Sequence, residues 1–391
     1  MGTFVLRFLL PLVNALLTPA ASGTEPRLPF ALDPNLPYLA EKLKPVTYEV
    51  DFRVVLTAPY GTKLLRVWVP IPPTDSAQVV TESSFEAFPI DVKPTVGEEK
   101  VFGNRFAYFE FTEPKGAQMI THRFTITAHE LRFHLKPSKA TELSQWPLTF
   151  QPFLRSESQA VVLNEAVRTT ASGLAAVRSS SLGDVRRVIE WVGANLRYDH
   201  SAASLRASSE WAISKRVGHC SDYHGLCAAL TRALGYPARV TYGINTFAKN
   251  SPSHCKAEVF LPSYGWVSFD VSETQRFCEK IAADASLTAE RKQVLIAKAK
   301  TRLFSGFRDN TWYLQTRGTD YDLEPPASRK VPVVRTIYAE ADGVALPEPD
   351  PGDKTKREFS WMTLHEFKPS RPVAYPFGDW RSLEEESEDS P

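Results

Sequence analysis

The N-terminal third of the chain has the alternating hydrophobic pattern of strands. Apolar and polar residues alternate at a period of two, which is typical of half-buried strands. The alternating segments are Tyr48–Val54, Leu65–Ile71, Tyr108–Phe111 and Ile120–Ala128. Glycine and proline clusters separate them at short intervals. The pattern predicts an antiparallel β-sandwich over residues 46–136.

Helical periodicity follows a connector at 137–156 that contains proline and tryptophan. From Val185 to Leu196, apolar residues recur at the i, i+3, i+4, i+7 spacing of an amphipathic helix that begins after Ser181. Residues 287–304 predict a further helix. The order of elements, strands first and then helices with further strands, indicates an α+β fold.

A cysteine stands at the start of another predicted helix. Apolar positions from Leu226 to Leu234 share one helical face, and Gly235 ends the helix. Cys220 therefore lies at the helix N-terminus, where unpaired N–H groups and the helix dipole favour a thiolate. This position suits a nucleophile, and its backbone N–H is placed to face a developing oxyanion.

A hairpin follows the strand-like segment 240–246. Residues 254–261 and 265–271 alternate around a Pro-Ser-Tyr-Gly turn. If paired residue numbers sum to about 524 or 526, His254 and Asp270 lie opposite or diagonal on one face, about 5 to 8 Å apart at Cβ. An odd sum would separate them. The even register predicts an imidazole–carboxylate hydrogen bond.

Three blocks in this region resemble the transglutaminase-like superfamily. They read G-H-C-S-D-Y, then R-A-L-G-Y-P-A-R-V, then H-C-K-A-E-V-F-L-P-S-Y-G-W-V-S-F-D. The resemblance covers roughly residues 196 to 275 and implies a papain-like core with helices packed on an antiparallel sheet. It also implies a catalytic triad with Cys220 as nucleophile, His254 as base and Asp270 as the residue that orients the base.

One departure from the family pattern is visible at Lys256, where many relatives carry an aromatic residue two positions after the histidine. Tyr198 and Trp211 are predicted to line the substrate groove. His219 and His224 are expected to line it as well or to be solvated, and neither is given a role. The sequence does not show which residue supplies a second oxyanion donor.

The predicted chemistry is acyl transfer at peptide or protein amide bonds through a thioester on Cys220. Hydrolysis by a peptidase or amidase is favoured over amine cross-linking by a transglutaminase, because water is abundant outside the cytoplasm. A second alternative is an extracytoplasmic binding or assembly protein that has lost activity. The chemistry requires no cofactor, although a calcium requirement is left open.

A zinc site is a competing interpretation of the same residues. Cys220, His224 and Cys227 share one helical face. The two cysteines are about 10 Å apart along the helix, too far for both sulfurs to bind one ion at about 2.3 Å. A smaller site made of Cys220, His224 and His254 remains geometrically permitted. The preferred prediction has no metal ligand.

Beyond the hairpin, segments 312–316 and 331–338 are predicted strands that extend the core sheet, so that the catalytic domain spans 157–340. Residues 341–391 are predicted to be loop and an acidic tail. Of the four cysteines, Cys255 and Cys278 are the pair with the best prospect of a disulfide if Cys220 stays free.

The chain's charge balance argues against a nucleic-acid-binding protein. Its 391 residues hold 46 basic and 45 acidic side chains, a balance that gives no electrostatic case for nucleic acid.

Residues 1–22 have the basic start, short apolar run and small residues of a secretory signal, which predicts a periplasmic or secreted protein without a membrane span. Residues 23–45 are proline-rich and predict an extended linker. The expected partner is a peptide or protein substrate, and the oligomeric state is not predicted.

Overall fold

The computed structural model of the chain describes residues 1–2, 30–141, 143, 145–175, 180–247, 252–348 and 360–384. The predicted signal at 1–22 therefore lies almost entirely outside the described residues. The strands are β1 Glu41–Thr57, β2 Leu64–Ile71, β3 Gln78–Phe88, β4 Thr95–Glu98, β5 Arg105–Thr112, β6 Ala117–Arg132, β7 Arg197–Tyr198, β8 Val217–Gly218, β9 Ala238–Asn245, β10 Ser253–Leu261, β11 Gly265–Phe269, β12 Phe307–Arg308, β13 Trp312–Arg317, β14 Tyr338–Ala341, β15 Val344–Ala345 and β16 Trp361–Pro369. The helices are α1 Glu165–Ala175, α2 Ser181–Asn195, α3 Ser209–Lys215, α4 Cys220–Ala233, α5 Val271–Ala283 and α6 Ala289–Phe304.

Two five-stranded antiparallel sheets form the β-sandwich. One has the order β12-β6-β1-β16 with β3 also paired to β6, and the other has the order β15-β14-β2-β5-β4. Their facing apolar side chains form one buried cluster, which includes Phe52 of β1, Val67 of β2 and Phe109 of β5. Alternate residues of β1 are buried, as the sequence pattern requires. The predicted α+β fold with an N-terminal sandwich is confirmed.

The second layer packs helices on a four-stranded antiparallel sheet of order β11-β10-β9-β13. The largest apolar cluster lies between this sheet and α1, α2 and α4. Helix α4 is buried along nearly its whole length. Gly225 allows this close packing, since a Cβ there would lie 2.2 Å from the carbonyl oxygen of Ala207. The sheet and the start of α4 together carry the residues predicted to be catalytic.

Apolar contacts join the sandwich to the core sheet. Tyr48 of β1 and Phe124 of β6 share a buried cluster with Ile244 of β9 and Tyr313 of β13. The predicted linker also packs on the core, since the Tyr38 hydroxyl donates to Glu258 over 2.6 Å. The segment 30–40 is therefore part of the packed structure.

Two predictions for the C-terminal part of the chain need correction. Segment 331–338 is not a strand of the core sheet, because a strand begins only at Tyr338 and pairs with β2 of the sandwich. The region predicted as loop and tail contains β16, which pairs with β1. Both strands complete sandwich sheets over a large sequence separation, a pairing that local patterning does not encode. The acidic end, 385–391, lies outside the described residues.

Candidate active site

Cys220 is the first residue of α4, as its sequence context predicts. The residues before it are held by a short parallel pairing of β7 with β8, in which Tyr198 lies beside Gly218. Buried Asp222 accepts a hydrogen bond from the His219 backbone N–H over 3.2 Å, which caps the helix start. The Cys220 side chain is therefore fixed at the positive end of a rigid, buried helix.

The register of the hairpin brings a carboxylate to the histidine. Strands β10 and β11 pair Ala257 with Phe269, so that paired residue numbers sum to 526. One step further along this register, Lys256 faces Asp270 and His254 lies diagonal to it. The sequence analysis placed Asp270 in the second strand of the hairpin. In the structure β11 ends at Phe269, and Asp270 is the N-cap residue of α5. The cap holds its carboxylate through a 3.2 Å hydrogen bond from the Glu273 backbone N–H.

His254 and Asp270 form a short, buried hydrogen bond. His254 Nε2 lies 2.7 Å from Asp270 Oδ2, and each residue is only 2% exposed. Burial lowers the pKa of His254, but the charges of Asp270 and Cys220 outweigh it and raise that pKa to about 9. Burial likewise opposes ionisation of Asp270, yet the charges of His254 and Lys256 hold its pKa well below the usual range. The arrangement favours an imidazolium paired with a carboxylate.

The environment of Cys220 favours its thiolate. A hydrogen bond with the Cys255 thiol lowers the pKa of Cys220 most, and the charges of His219 and His254 lower it further against the effect of burial. The resulting pKa lies well below the usual thiol value. The pKa of Cys255 is raised, so Cys255 is the partner that keeps its proton. A thiolate beside an imidazolium is the ionic form that attacks carbonyl carbon.

His224 is buried in this cluster, not solvated, and its hydrogen bonds fix its role. The Val271 backbone N–H donates to its Nε2 over 3.1 Å, so this nitrogen carries no proton. Its Nδ1 therefore carries the proton of the neutral ring and points at Cys255 Sγ, 3.5 Å away. Burial lowers the pKa of His224 to about 4. Both ring nitrogens are occupied within the protein, which argues against His224 in the zinc set of Cys220, His224 and His254.

The site contains a lysine whose role the sequence analysis did not predict. Lys256 Nζ donates to Asp270 Oδ2 over 2.7 Å and to Asp309 Oδ2 over 3.0 Å. All three side chains are at most 2% exposed. The register contained the signal for one of these contacts, since a sum of 526 places Lys256 directly opposite Asp270. Asp309, 53 positions along the chain, had no local signal.

The remaining predicted residues take varied positions around Cys220. Tyr198 is half-buried and close enough to Cys220 for the thiolate charge to add to burial in raising the pKa of the tyrosine. The Trp211 indole N–H donates to the backbone carbonyls of Ala202 and Val217, 3.1 and 3.2 Å away, so this N–H is used to hold the segments before α4 together. His219 is buried rather than solvated, and its Nε2 lies 3.3 Å from Arg335 Nη1.

The proposed disulfide between Cys255 and Cys278 is not present. All four cysteines of the chain lie in the described part and are free. Cys255 is on β10 against His224, whereas Cys278 faces α6 and α2 from the outer side of α5. No group of metal-binding side chains is found among the described residues. Within the same residues, no helix has the length and apolar character needed to cross a bilayer.

Comparisons with known proteins identify a family model, a relative and solved structures that are similar to this chain. Residues 168–271 match the family model described as the transglutaminase-like superfamily. An uncharacterized protein of Haemophilus influenzae is 22% identical over 335 residues, which cover 78% of this chain and 88% of that protein. The crystal structure of a candidate cysteine protease from Cytophaga hutchinsonii has a TM-score of 0.57 and 16% identity, and covers 88% of this chain and 98% of that chain. The periplasmic domain of TgpA from Pseudomonas aeruginosa is 15% identical over 60% of this chain and 91% of that one, with a TM-score of 0.32 that supports no further comparison.

The resemblance noted at 196–275 is confirmed, and the family match begins earlier. It includes most of α1 and all of α2, whose apolar faces pack behind α4. The matched region also contains α4, β9 and β10, and it ends one residue after Asp270. Residues 168–271 of this chain therefore form a transglutaminase-like core.

Proposed function

We propose that the protein is a cysteine-dependent peptidase or amidase in which Cys220 is the nucleophile, His254 the acid–base and Asp270 the residue that orients His254. The observation that carries this proposal is the buried 2.7 Å contact between His254 and Asp270 beside a cysteine at a helix N-terminus. The pKa of Cys220 is lowered and that of His254 is raised, which supports a thiolate–imidazolium pair at neutral pH.

In the proposed acylation step, the Cys220 thiolate attacks the amide carbonyl carbon and the C–N bond breaks. His254 gives its proton to the leaving amine, so that a thioester and a neutral imidazole remain. His254 then takes a proton from water, the hydroxide adds to the thioester, and the C–S bond breaks to release the acid and the thiolate. Asp270 stabilises the charged imidazole in both steps. The Cys220 backbone N–H, at the start of α4, is the proposed oxyanion donor.

Hydrolysis is preferred to cross-linking because the proposed location favours water as the acceptor. The pattern at residues 1–22 supports export from the cytoplasm. Outside the cytoplasm conditions are dilute, and amine acceptors are scarce relative to water. The proposed substrate is accordingly a peptide or protein in the periplasm or outside the cell. Transfer to an amine is the alternative outcome of the same thioester.

The test is incubation of the mature protein with a peptide library, with and without a primary amine, followed by mass spectrometry. Cleaved peptides that are absent with Cys220→Ala are the expected result. Peptides that carry the added amine would show that the activity is transamidation and not hydrolysis. Unchanged peptides under both conditions would count against the enzyme.

Alkylation of Cys220 by iodoacetamide separates an enzyme from a binding protein without needing a substrate. We expect wild-type Cys220 to react much faster at neutral pH than a free thiol, and His254→Ala to remove that advantage. Peptide mapping assigns the label among the four cysteines. A wild-type rate no higher than that of a free thiol would refute the nucleophile assignment.

A further inference from the structure

Lys256 is a buried cation in direct contact with the carboxylate that His254 also uses. Its Nζ and His254 Nε2 both lie 2.7 Å from the same oxygen, Oδ2 of Asp270. That oxygen therefore accepts two hydrogen bonds from two cationic groups. The other oxygen, Oδ1, is held by the backbone at the start of α5. The Asp270 carboxylate is thus fixed in position from three sides.

Asp309 balances the lysine from the other side. Its Oδ2 accepts from Lys256 over 3.0 Å, while its Oδ1 accepts from the Thr311 backbone N–H over 3.1 Å. Two aromatic rings enclose the ammonium, with ring centroids 5.2 Å away for Trp312 and 5.9 Å away for Phe377. Two carboxylates and one ammonium with no solvent access form a set in which losing one charge changes the field on the others.

We propose that Lys256 is a positioning residue of the active site, which shares Asp270 with His254, is anchored by Asp309, and sets how strongly the carboxylate favours the charged imidazole. The proposal rests on the proposed function, in which that imidazole is the acid–base. Near Asp270 the lysine charge offsets part of the negative charge that acts on His254, and Asp309 in turn offsets part of the lysine charge.

The other titratable groups of the site are unchanged in the test. Cys220 and His224 of α4 act on His254 directly. Cys255, His219 and Arg335 act on Cys220, and Glu273 and Tyr375 lie next to Asp270. None of them contacts Lys256 Nζ by a hydrogen bond that the structure records. Changes at Lys256 and Asp309 therefore alter one part of the field.

The charges predict opposite effects for two sets of substitutions. Replacing the pair, as Lys256→Met with Asp309→Asn, leaves Asp270 to His254 alone, so the imidazolium persists to higher pH. Replacing only Asp309, as Asp309→Asn, leaves the lysine charge uncompensated, so the imidazolium is lost at lower pH. A residue that served only for packing would not produce shifts of opposite sign.

The experiment measures alkylation of Cys220 by iodoacetate across pH, with peptide mapping. This reagent is an anion, so it reacts faster with the thiolate while the neighbouring imidazole is charged, and the falling limb at high pH reports His254. We expect that limb near pH 9 in the wild type. It should move about one pH unit up in the double variant and about one unit down in Asp309→Asn. Circular dichroism checks that each variant is folded.

The control is a solvent-exposed pair of the same chemistry, Lys93 and Asp91, whose charged atoms are 3.0 Å apart. Lys93→Met with Asp91→Asn should leave the limb in place. Limbs that coincide with the wild type in both test variants, or that move in the same direction, would overturn the role of Lys256. If the double variant does not fold, the direction of the limb in Asp309→Asn decides. A wild-type Cys220 without enhanced reactivity would instead refute the proposed function.

Discussion

Asp270→Asn is the substitution that most directly tests the charge on His254. The pKa of His254 rises from 6.5 to about 9 although burial lowers it, and the Asp270 charge is the largest of the contributions that raise it. At about 1.4 kcal/mol per pH unit, this difference corresponds to roughly 3 kcal/mol in favour of the imidazolium. Without the carboxylate charge, burial dominates and leaves a neutral imidazole at pH 7.

We expect Asp270→Asn to slow alkylation of Cys220 by iodoacetamide at pH 7 by roughly 100-fold, because the thiolate loses its cationic partner and each 1.4 kcal/mol is a factor of ten. Asparagine is nearly as good an N-cap as aspartate, so α5 should remain capped. The variant loses a buried ion pair with His254 and Lys256 and should melt at a lower temperature, so circular dichroism checks that it is folded at the assay temperature. Asp284→Asn, at a half-buried site at the opposite end of α5 from Asp270, is the control and should leave the rate unchanged. A fall of less than about threefold in a folded Asp270→Asn protein would refute the reasoning.

Two further predictions concern pH and packing. Because the pKa of His254 is raised, the imidazolium is present at neutral pH and is lost as pH rises through about 9. The rate of peptide cleavage should therefore fall as pH rises through about 9. A flat pH–rate profile from pH 7 to 10 would contradict this prediction. Gly225→Ala should destabilise the protein by about 1–3 kcal/mol in urea unfolding, since the added Cβ meets the Ala207 carbonyl at 2.2 Å. Gly173→Ala, in a helix with nothing within 4 Å of its added Cβ, should be neutral or slightly stabilising, and equal effects of the two substitutions would contradict the packing.

The sequence was sufficient where the physical cause is local. Alternation of apolar residues predicted the long strands of the sandwich, and a helix that starts at a cysteine predicted where Cys220 lies. The hairpin was predictable because a tight turn limits the register, and an even sum places His254 and Asp270 on one face. The same register places Lys256 opposite Asp270, so their contact was also predictable. In the sequence, Lys256 stood out only as a departure from the family pattern.

Tertiary structure decided what depends on residues distant in sequence. Asp309 reaches Lys256 only because the chain returns after α6, and β14 and β16 leave the C-terminal region to complete sandwich sheets. Such pairings are selected by the burial of whole surfaces, and no local period encodes them. The sequence by itself thus determined the long strands of the sandwich, the position of Cys220 at a helix start and the hairpin face. Only the folded chain set the electrostatics of the site, because pKa values depend on burial and on charges brought together from separate segments.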